Sequence, residues 1–143
     1  MIDIKIREAA TTDSPDIARL VTQLGYPASE PEMRDRLNVM LDRPEYVVFV
    51  AETAGRVIGL IGAYLGHALE FNGTYGRLTG VVVDGPYRDS GIGKILLERV
   101  EGWLQEHGAG MVTLTSGKQR AEAHGFYRHL GYEETGLRFS KRL

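Results

Sequence analysis

Three valines, an arginine and two glycines one residue apart carry the most legible chemistry of this chain: Val81-Val82-Val83-Asp84-Gly85-Pro86-Tyr87-Arg88-Asp89-Ser90-Gly91-Ile92-Gly93-Lys94. The β-branched run favours a strand, and Gly85-Pro86 breaks it. From Ile92 the apolar residues Ile95, Leu96, Val100, Trp103 and Leu104 follow helical spacing until Gly108. A strand, a loop and a helix in that order gather backbone N–H groups at a helix N-terminus, where the dipole favours an anion. Glycine at 91 and 93 lets the backbone approach a phosphate with no Cβ in the way. Arg88 adds a planar, permanent cation suited to phosphate. Two nucleotide-binding loops fail on single residues. A Rossmann fingerprint needs glycine at 96, where Leu96 stands; a Walker A loop needs glycine at 88 and Ser or Thr at 95, where Arg88 and Ile95 stand. By itself, the segment reads equally well as a strand–helix turn that merely requires glycine.

Other chemistries lack residues. Cysteine is absent, which removes a disulfide framework, a thiolate zinc site and a cysteine nucleophile together. Neither Ser90 nor Ser116 sits in Gly-x-Ser-x-Gly, so an acyl-enzyme has no nucleophile of that type. His124 and His129 are five apart without the glutamate of a zincin motif, and no metal is expected. The net charge is 17 − 19 = −2 with no basic stripe, so nucleic acid is not an expected partner. No apolar run approaches the ~20 residues of a membrane helix. Met1-Ile2-Asp3-Ile4-Lys5-Ile6-Arg7 alternates charge with apolar residues and has no signal-peptide core. The expectation is a soluble cytoplasmic protein with no membrane partner.

The elements that must hold the loop are readable in outline. Ile2, Ile4 and Ile6 have the period of a half-buried strand. Ser14-Pro15-Asp16 opens a helix with Ser14 as N-cap, Ile17, Leu20, Val21 and Leu24 form its apolar face, and Gly25 closes it. Ser29-Glu30-Pro31-Glu32 is a capping box for a second helix with Met33, Leu37, Met40 and Leu41 on one face, stopped by Pro44. Tyr46–Ala51 reads as a strand, Thr53-Ala54-Gly55 as a hairpin turn, Arg56–Leu65 as a strand, Gly66–Gly76 as a loop, and Arg77–Asp84 as a strand. After the Ile92 helix come a strand at Met111–Leu114, a helix at Arg120–Leu130 ended by Gly131, and a last strand at Tyr132–Phe139. The length suits a single domain over residues 1–143, of the α+β or mixed α/β class.

The pattern Val-Val-Asp followed by Tyr87-Arg88-x-x-Gly91-x-Gly93 resembles the acetyl-CoA signature of the GNAT superfamily of N-acetyltransferases. Ala123-His124-Gly125-Phe126-Tyr127-Arg128-His129-Leu130-Gly131-Tyr132 is similar to that family's second signature. The order of elements also fits, so the resemblance covers essentially the whole chain. It implies a mixed, mostly antiparallel sheet of six to seven strands flanked by about four helices, with a V-shaped splay between strands 4 and 5. It implies acetyl-CoA as co-substrate and an amine acceptor, a small molecule or a protein amine, that attacks the thioester directly in a ternary complex. Val81, Val82 and Val83 would offer backbone partners to the pantetheine arm. The loop N–H groups of Arg88, Asp89, Ser90, Gly91, Ile92 and Gly93 would hold the pyrophosphate. Ser116 either reaches the pantetheine or ends its strand. Tyr127 stands where the family keeps a tyrosine that protonates the leaving thiolate.

The chain departs from the family at two places. Many members carry a glutamate base where Thr79 stands, and an asparagine where Arg120 stands. An amine with a pKa around ~10 must lose a proton before it attacks. His67, Glu70, His124 or a water chain are the candidates to accept it. The missing base keeps open a second reading, an acyl-CoA-binding sensor or scaffold without turnover. Gly80 marks either the bulge that starts the splay or a point of close backbone packing. Gly59, Gly62, Gly66, Gly73 and Gly76, part of a count of 18 glycines, suggest bends beside the acceptor. The last strand would leave an edge for a homodimer.

Overall fold

The computed structural model describes residues 3–143, so Ile2 lies outside it. The chain divides into two compact units, Met1–Thr113 and Leu114–Leu143. In the first, β1 (Lys5–Glu8), β2 (Tyr46–Thr53), β3 (Arg56–His67), β4 (Thr74–Val83) and β5 (Ala109–Thr113) form one sheet in chain order. The first three pairings are antiparallel and β4–β5 is parallel. α1 (Ser14–Leu24) and α2 (Glu30–Leu41) cover one face, where Ile17, Leu20, Met33 and Leu37 meet Val48, Val50, Leu60 and Val82. α3 (Ile92–Glu106) covers the other, with Arg99 lying 5.0 Å from the ring centre of Phe49. Cover on both faces is why Tyr46–Ala51 is an unbroken apolar run rather than an alternating one.

Local signals hold where neighbours supply them. Ala54 and Gly55 both have positive φ, 49° and 76°, as a two-residue primed hairpin turn requires, and Thr53 pairs with Arg56. The second helix has its reciprocal cap: Ser29 N–H donates to Glu32 at 2.9 Å and Glu32 N–H to Ser29 Oγ at 3.3 Å. At the first helix the expected cap is displaced by one residue. A 3₁₀ turn at Thr11–Asp13 precedes it, Asp13 is the N-cap, and Ser14 is the first helical residue. The Ser14 hydroxyl is fully buried and donates to Thr11 O, so it cannot cap.

Asp13 turns instead to Arg7, which donates two bonds of 2.9 Å and reaches Glu52 at 3.2 Å. The Arg7 hydrogen bond holds the Asp13 carboxyl below its usual range, against the opposing effect of burial and with help from the Ala10 N–H. A lowered folded pKa gives stability that is complete above the unfolded value of 3.8 and lost as pH falls through the folded one. Asp13→Asn is therefore expected to cost about 1–3 kcal/mol at pH 7. The gap should narrow progressively as pH falls below 3.8, as urea denaturation over a series of pH values will show.

Three expectations about β3, β4 and α3 need correction. The loop between the strands is only residues 68–73, because Gly66 and Gly76 are strand residues. They serve close approach rather than bending: a Cβ on Gly66 would meet the Tyr75 ring at 2.8 Å, and one on Gly76 would meet Leu104 Cδ1 at 2.5 Å. On α3 the buried residues are Ile92, Leu96, Leu97, Val100 and Leu104, whereas Ile95 is 44% exposed and Trp103 stacks on His107 at 4.1 Å.

The second unit holds α4 (Ala121–His129), followed by Gly131 at φ 93°. Residues 132–139 form no strand, so the sheet has five strands among the described residues, not six to seven. A strand persists only where its N–H and C=O groups meet a neighbour's. Here Leu137 and Phe139 are 70% and 88% exposed. The edge expected there for a second copy is absent with it.

Candidate active site

β4 changes partners at one point. Gly62 pairs with Gly80 and Ala63 with Leu78, which leaves Thr79 as the extra residue of a bulge. Parallel pairing with β5 ends two residues earlier, at Arg77–Thr113. A bulge bends its strand and adds twist. Past it, no residue of Thr79–Val83 pairs with β5 among the described residues. The bulge that the sequence assigned to Gly80 thus centres on its neighbour, Thr79, which is exposed. Gly62 makes room for it, since a Cβ there would lie 2.6 Å from Thr79 Oγ1. Val82 is buried in the core and Val81 and Val83 are half-buried.

The loop after β4 folds as a 3₁₀ turn over Gly85–Tyr87, in which Arg88 N–H donates to Gly85 O at 3.2 Å. That spends one of the donors expected to face an anion, so the run of available N–H groups begins at Asp89. Asp89 and Gly91 have positive φ, 61° and 86°, and Ser90 between them does not. Alternating hand of this kind turns successive N–H groups into one concavity, a nest for an anion. Aspartate tolerates the left-handed region better than most residues. The Ser90 hydroxyl donates to Tyr87 O and Arg88 Nε to Val83 O at 3.1 Å, which fixes the loop from inside. Gly91 is the N-cap of α3, so Ile92, Gly93 and Lys94 present the helix's first N–H groups there. The Ile92 side chain is buried under the sheet and Gly93 is half-buried.

Residues that the sequence did not single out anchor this loop. Asp84, at its root, accepts from Gln23 Nε2 at 2.8 Å and from Arg19 Nη1 at 2.9 Å. The Gln23 bond first, then Arg19, holds the Asp84 carboxyl below its usual range against burial. The partners lie 61 and 65 positions away, a distance over which a single sequence carries no periodic signal.

In the second unit, Ser116 is a half-buried residue of the stretch ahead of a turn in which Arg120 N–H donates to Gly117 O at 3.0 Å. His124 Nε2 lies 2.8 Å from the same carbonyl and so donates to it. That bond gives His124 a structural task. Tyr127 is half-buried, with the rings of Phe126 and Tyr132 edge-on at 5.3 and 5.8 Å. Burial pushes its phenol above 10.0, with Arg120 pulling the other way. The proton is therefore held through the neutral range, as a donor requires. His67, at the end of β3, and Glu70, in the following loop, are exposed. No group of three metal-ligating side chains occurs among the described residues, and no helix there is long and apolar enough to cross a membrane.

Comparison with known proteins agrees with this geometry. The family model described as "Acetyltransferase (GNAT) family" matches residues 11–132, which spans parts of both units. The aminoalkylphosphonate N-acetyltransferase of Salmonella typhimurium is 29% identical over 144 residues, 97% of this chain and 91% of that protein. An aminoglycoside N(6')-acetyltransferase type 1 of Stenotrophomonas maltophilia is 32% identical over 135 residues, 91% of this chain and 86% of that protein. A solved aminoglycoside N-acetyltransferase in complex with CoA has the same fold, with a TM-score of 0.88 over 100% of this chain and 96% of that one, at 20% identity.

Proposed function

The chain belongs to the GNAT acetyltransferase family and is an N-acetyltransferase, and we propose that it moves the acetyl group of acetyl-CoA onto a primary amine of a small molecule. The observation that carries this reading is the junction of β4 and α3. A strand that has left its parallel neighbour leads into a nest of N–H groups at a helix N-terminus. The relatives named for aminoalkylphosphonates and aminoglycosides favour a small-molecule acceptor over a protein amine. The solved relative with CoA bound supports acetyl-CoA as co-substrate. The reading as a sensor or scaffold without turnover is not retained.

In this proposal the N–H groups of Asp89 to Gly93 hold the diphosphate and Arg88 adds charge beside them. Val81, Val82 and Val83 align the pantetheine arm along the side of β4 that β5 does not pair. Positioning of the two substrates and polarisation of the thioester carbonyl by backbone N–H supply the catalysis. The amine nitrogen forms a bond to the carbonyl carbon, the C–S bond breaks, and the thiolate takes a proton; likeness to the family's second signature gives the donor's role to the Tyr127 phenol. The amine's own proton leaves through water, since Thr79 offers no base, and solvent returns a proton to the phenolate.

Release of free thiol from acetyl-CoA, assayed across a panel of small amines, tests the reaction. Gly91→Val tests the nest. Forcing a side chain into the left-handed region at φ 86° costs roughly 1–2 kcal/mol. The KM for acetyl-CoA should rise about 5- to 30-fold, and an unchanged KM would remove the nest from the site.

A further inference from the structure

Asp84 is where three elements meet. Besides the bonds from Gln23 and Arg19, its own N–H donates to Ile58 O at 2.7 Å. The second guanidinium nitrogen of Arg19 donates to Val57 O at 3.0 Å, and Gln23 Oε1 accepts from Gly85 N–H at 3.4 Å. Helix α1 thereby grips the start of β3, the end of β4 and the first residue of the anion loop. Arg19 Nε is buried with no hydrogen-bond partner among the described residues. Leaving a donor so is unfavourable, so the guanidinium's pose is dictated by what its other two nitrogens hold. Beyond Gly85 the hydrogen bonds of the loop are short-range ones: Tyr87 N–H to Asp84 O, Arg88 N–H to Gly85 O, Arg88 Nε to Val83 O and the Ser90 hydroxyl to Tyr87 O. Its first residues are therefore tied to the sheet at Asp84, and its far end is held by the buried Ile92 of α3.

We propose that Arg19, Gln23 and Asp84 form a clamp that positions the anion loop for the diphosphate of the co-substrate. The proposal rests on the reading of that loop given above. None of the three is a catalytic residue; they act through the backbone of residues 85–91. The competing role is a plain tie between α1 and the sheet, which would be indifferent to which thioester is bound.

Two thioesters separate the roles. Acetyl-CoA carries the diphosphate, and S-acetylpantetheine has the same reacting group and arm without it. The measured quantity is the ratio of kcat/KM for acetyl-CoA to that for S-acetylpantetheine, with one good amine acceptor. Gln23→Ala removes an exposed side chain and leaves the core intact; Asp84→Asn weakens both bonds while keeping the shape. Each lost bond should lower the ratio up to about tenfold, and Arg19→Lys, which keeps the charge but cannot hold Asp84 and Val57 in one fork, should lower it similarly. Equal losses on both thioesters, with the ratio unchanged, would overturn the clamp while leaving the loop's role intact. A wild-type enzyme with no preference for acetyl-CoA would instead overturn the loop reading, and the clamp with it.

Discussion

Tyr127→Phe is expected to lower kcat by about 10²–10⁴, the range of a lost general acid, with the affinity for acetyl-CoA nearly unchanged. Phenylalanine keeps the edge-on ring contacts to Phe126 and Tyr132, so packing alone predicts almost no effect. The phenol lies above 10.0 because burial disfavours its anion. Its proton is present through the neutral range, and a decline in kcat from this group belongs only above about pH 10. Stopped-flow or steady-state thiol release with a good amine acceptor measures the effect. An unchanged kcat in the phenylalanine variant removes the acid role from Tyr127 and returns it to packing.

The largest effects on stability are expected where Gly76 meets Leu104. Leu104 is fully buried, and a Cβ on Gly76 would lie 2.5 and 2.6 Å from its two methyl carbons. Gly76→Ala should therefore cost about 1–3 kcal/mol through overpacking. Leu104→Ala should cost about 2–5 kcal/mol through loss of contacts and the cavity left behind. The double variant should cost less than the sum by about 0.5–3 kcal/mol, because the new methyl enters the space the leucine vacates. Urea denaturation of the four proteins gives the cycle. Strict additivity would mean that β4 shifts to relieve the glycine site, and that close approach is not why glycine stands there.

What the sequence discloses here is what neighbours in the chain decide. The Ser29–Glu32 box, the Ala54-Gly55 turn, the Gly25 helix end and the glycine loop after the valines all depend on residues within a few positions of one another. The family signatures, equally local, point to the family that the comparisons show. Features set across the fold were not legible. Gly66 and Gly76 read as loop residues because glycine as a space for Tyr75 or Leu104 looks the same in one sequence as glycine in a bend. Thr79 as the bulged residue follows from register against β3, which composition does not encode. Ser14 failed as a cap because a buried bond to Thr11 claimed its hydroxyl. The Tyr132–Phe139 segment has suitable residues for a strand, but no ladder pairing forms there among the described residues. Nothing near Asp84 announces that Arg19 and Gln23 will hold it.

The sheet's order bears on how the enzyme comes into being. β2, β3 and β4 are joined by two residues and by six, so each closes over a short loop at small entropic cost. β5 reaches β4 only across residues 84–108, a span that includes α3. Nearby contacts form sooner than distant ones. The nest lies inside that longer span, at the N-terminus of α3, so its donors are in place only when α3 docks. On the ribosome, a chain that has exposed the meander but not yet α3 can form its antiparallel strands without the helix N-terminus that the proposed anion loop needs. If the loop holds the diphosphate as proposed, competence to bind the co-substrate follows the docking of α3, not the birth of the sheet.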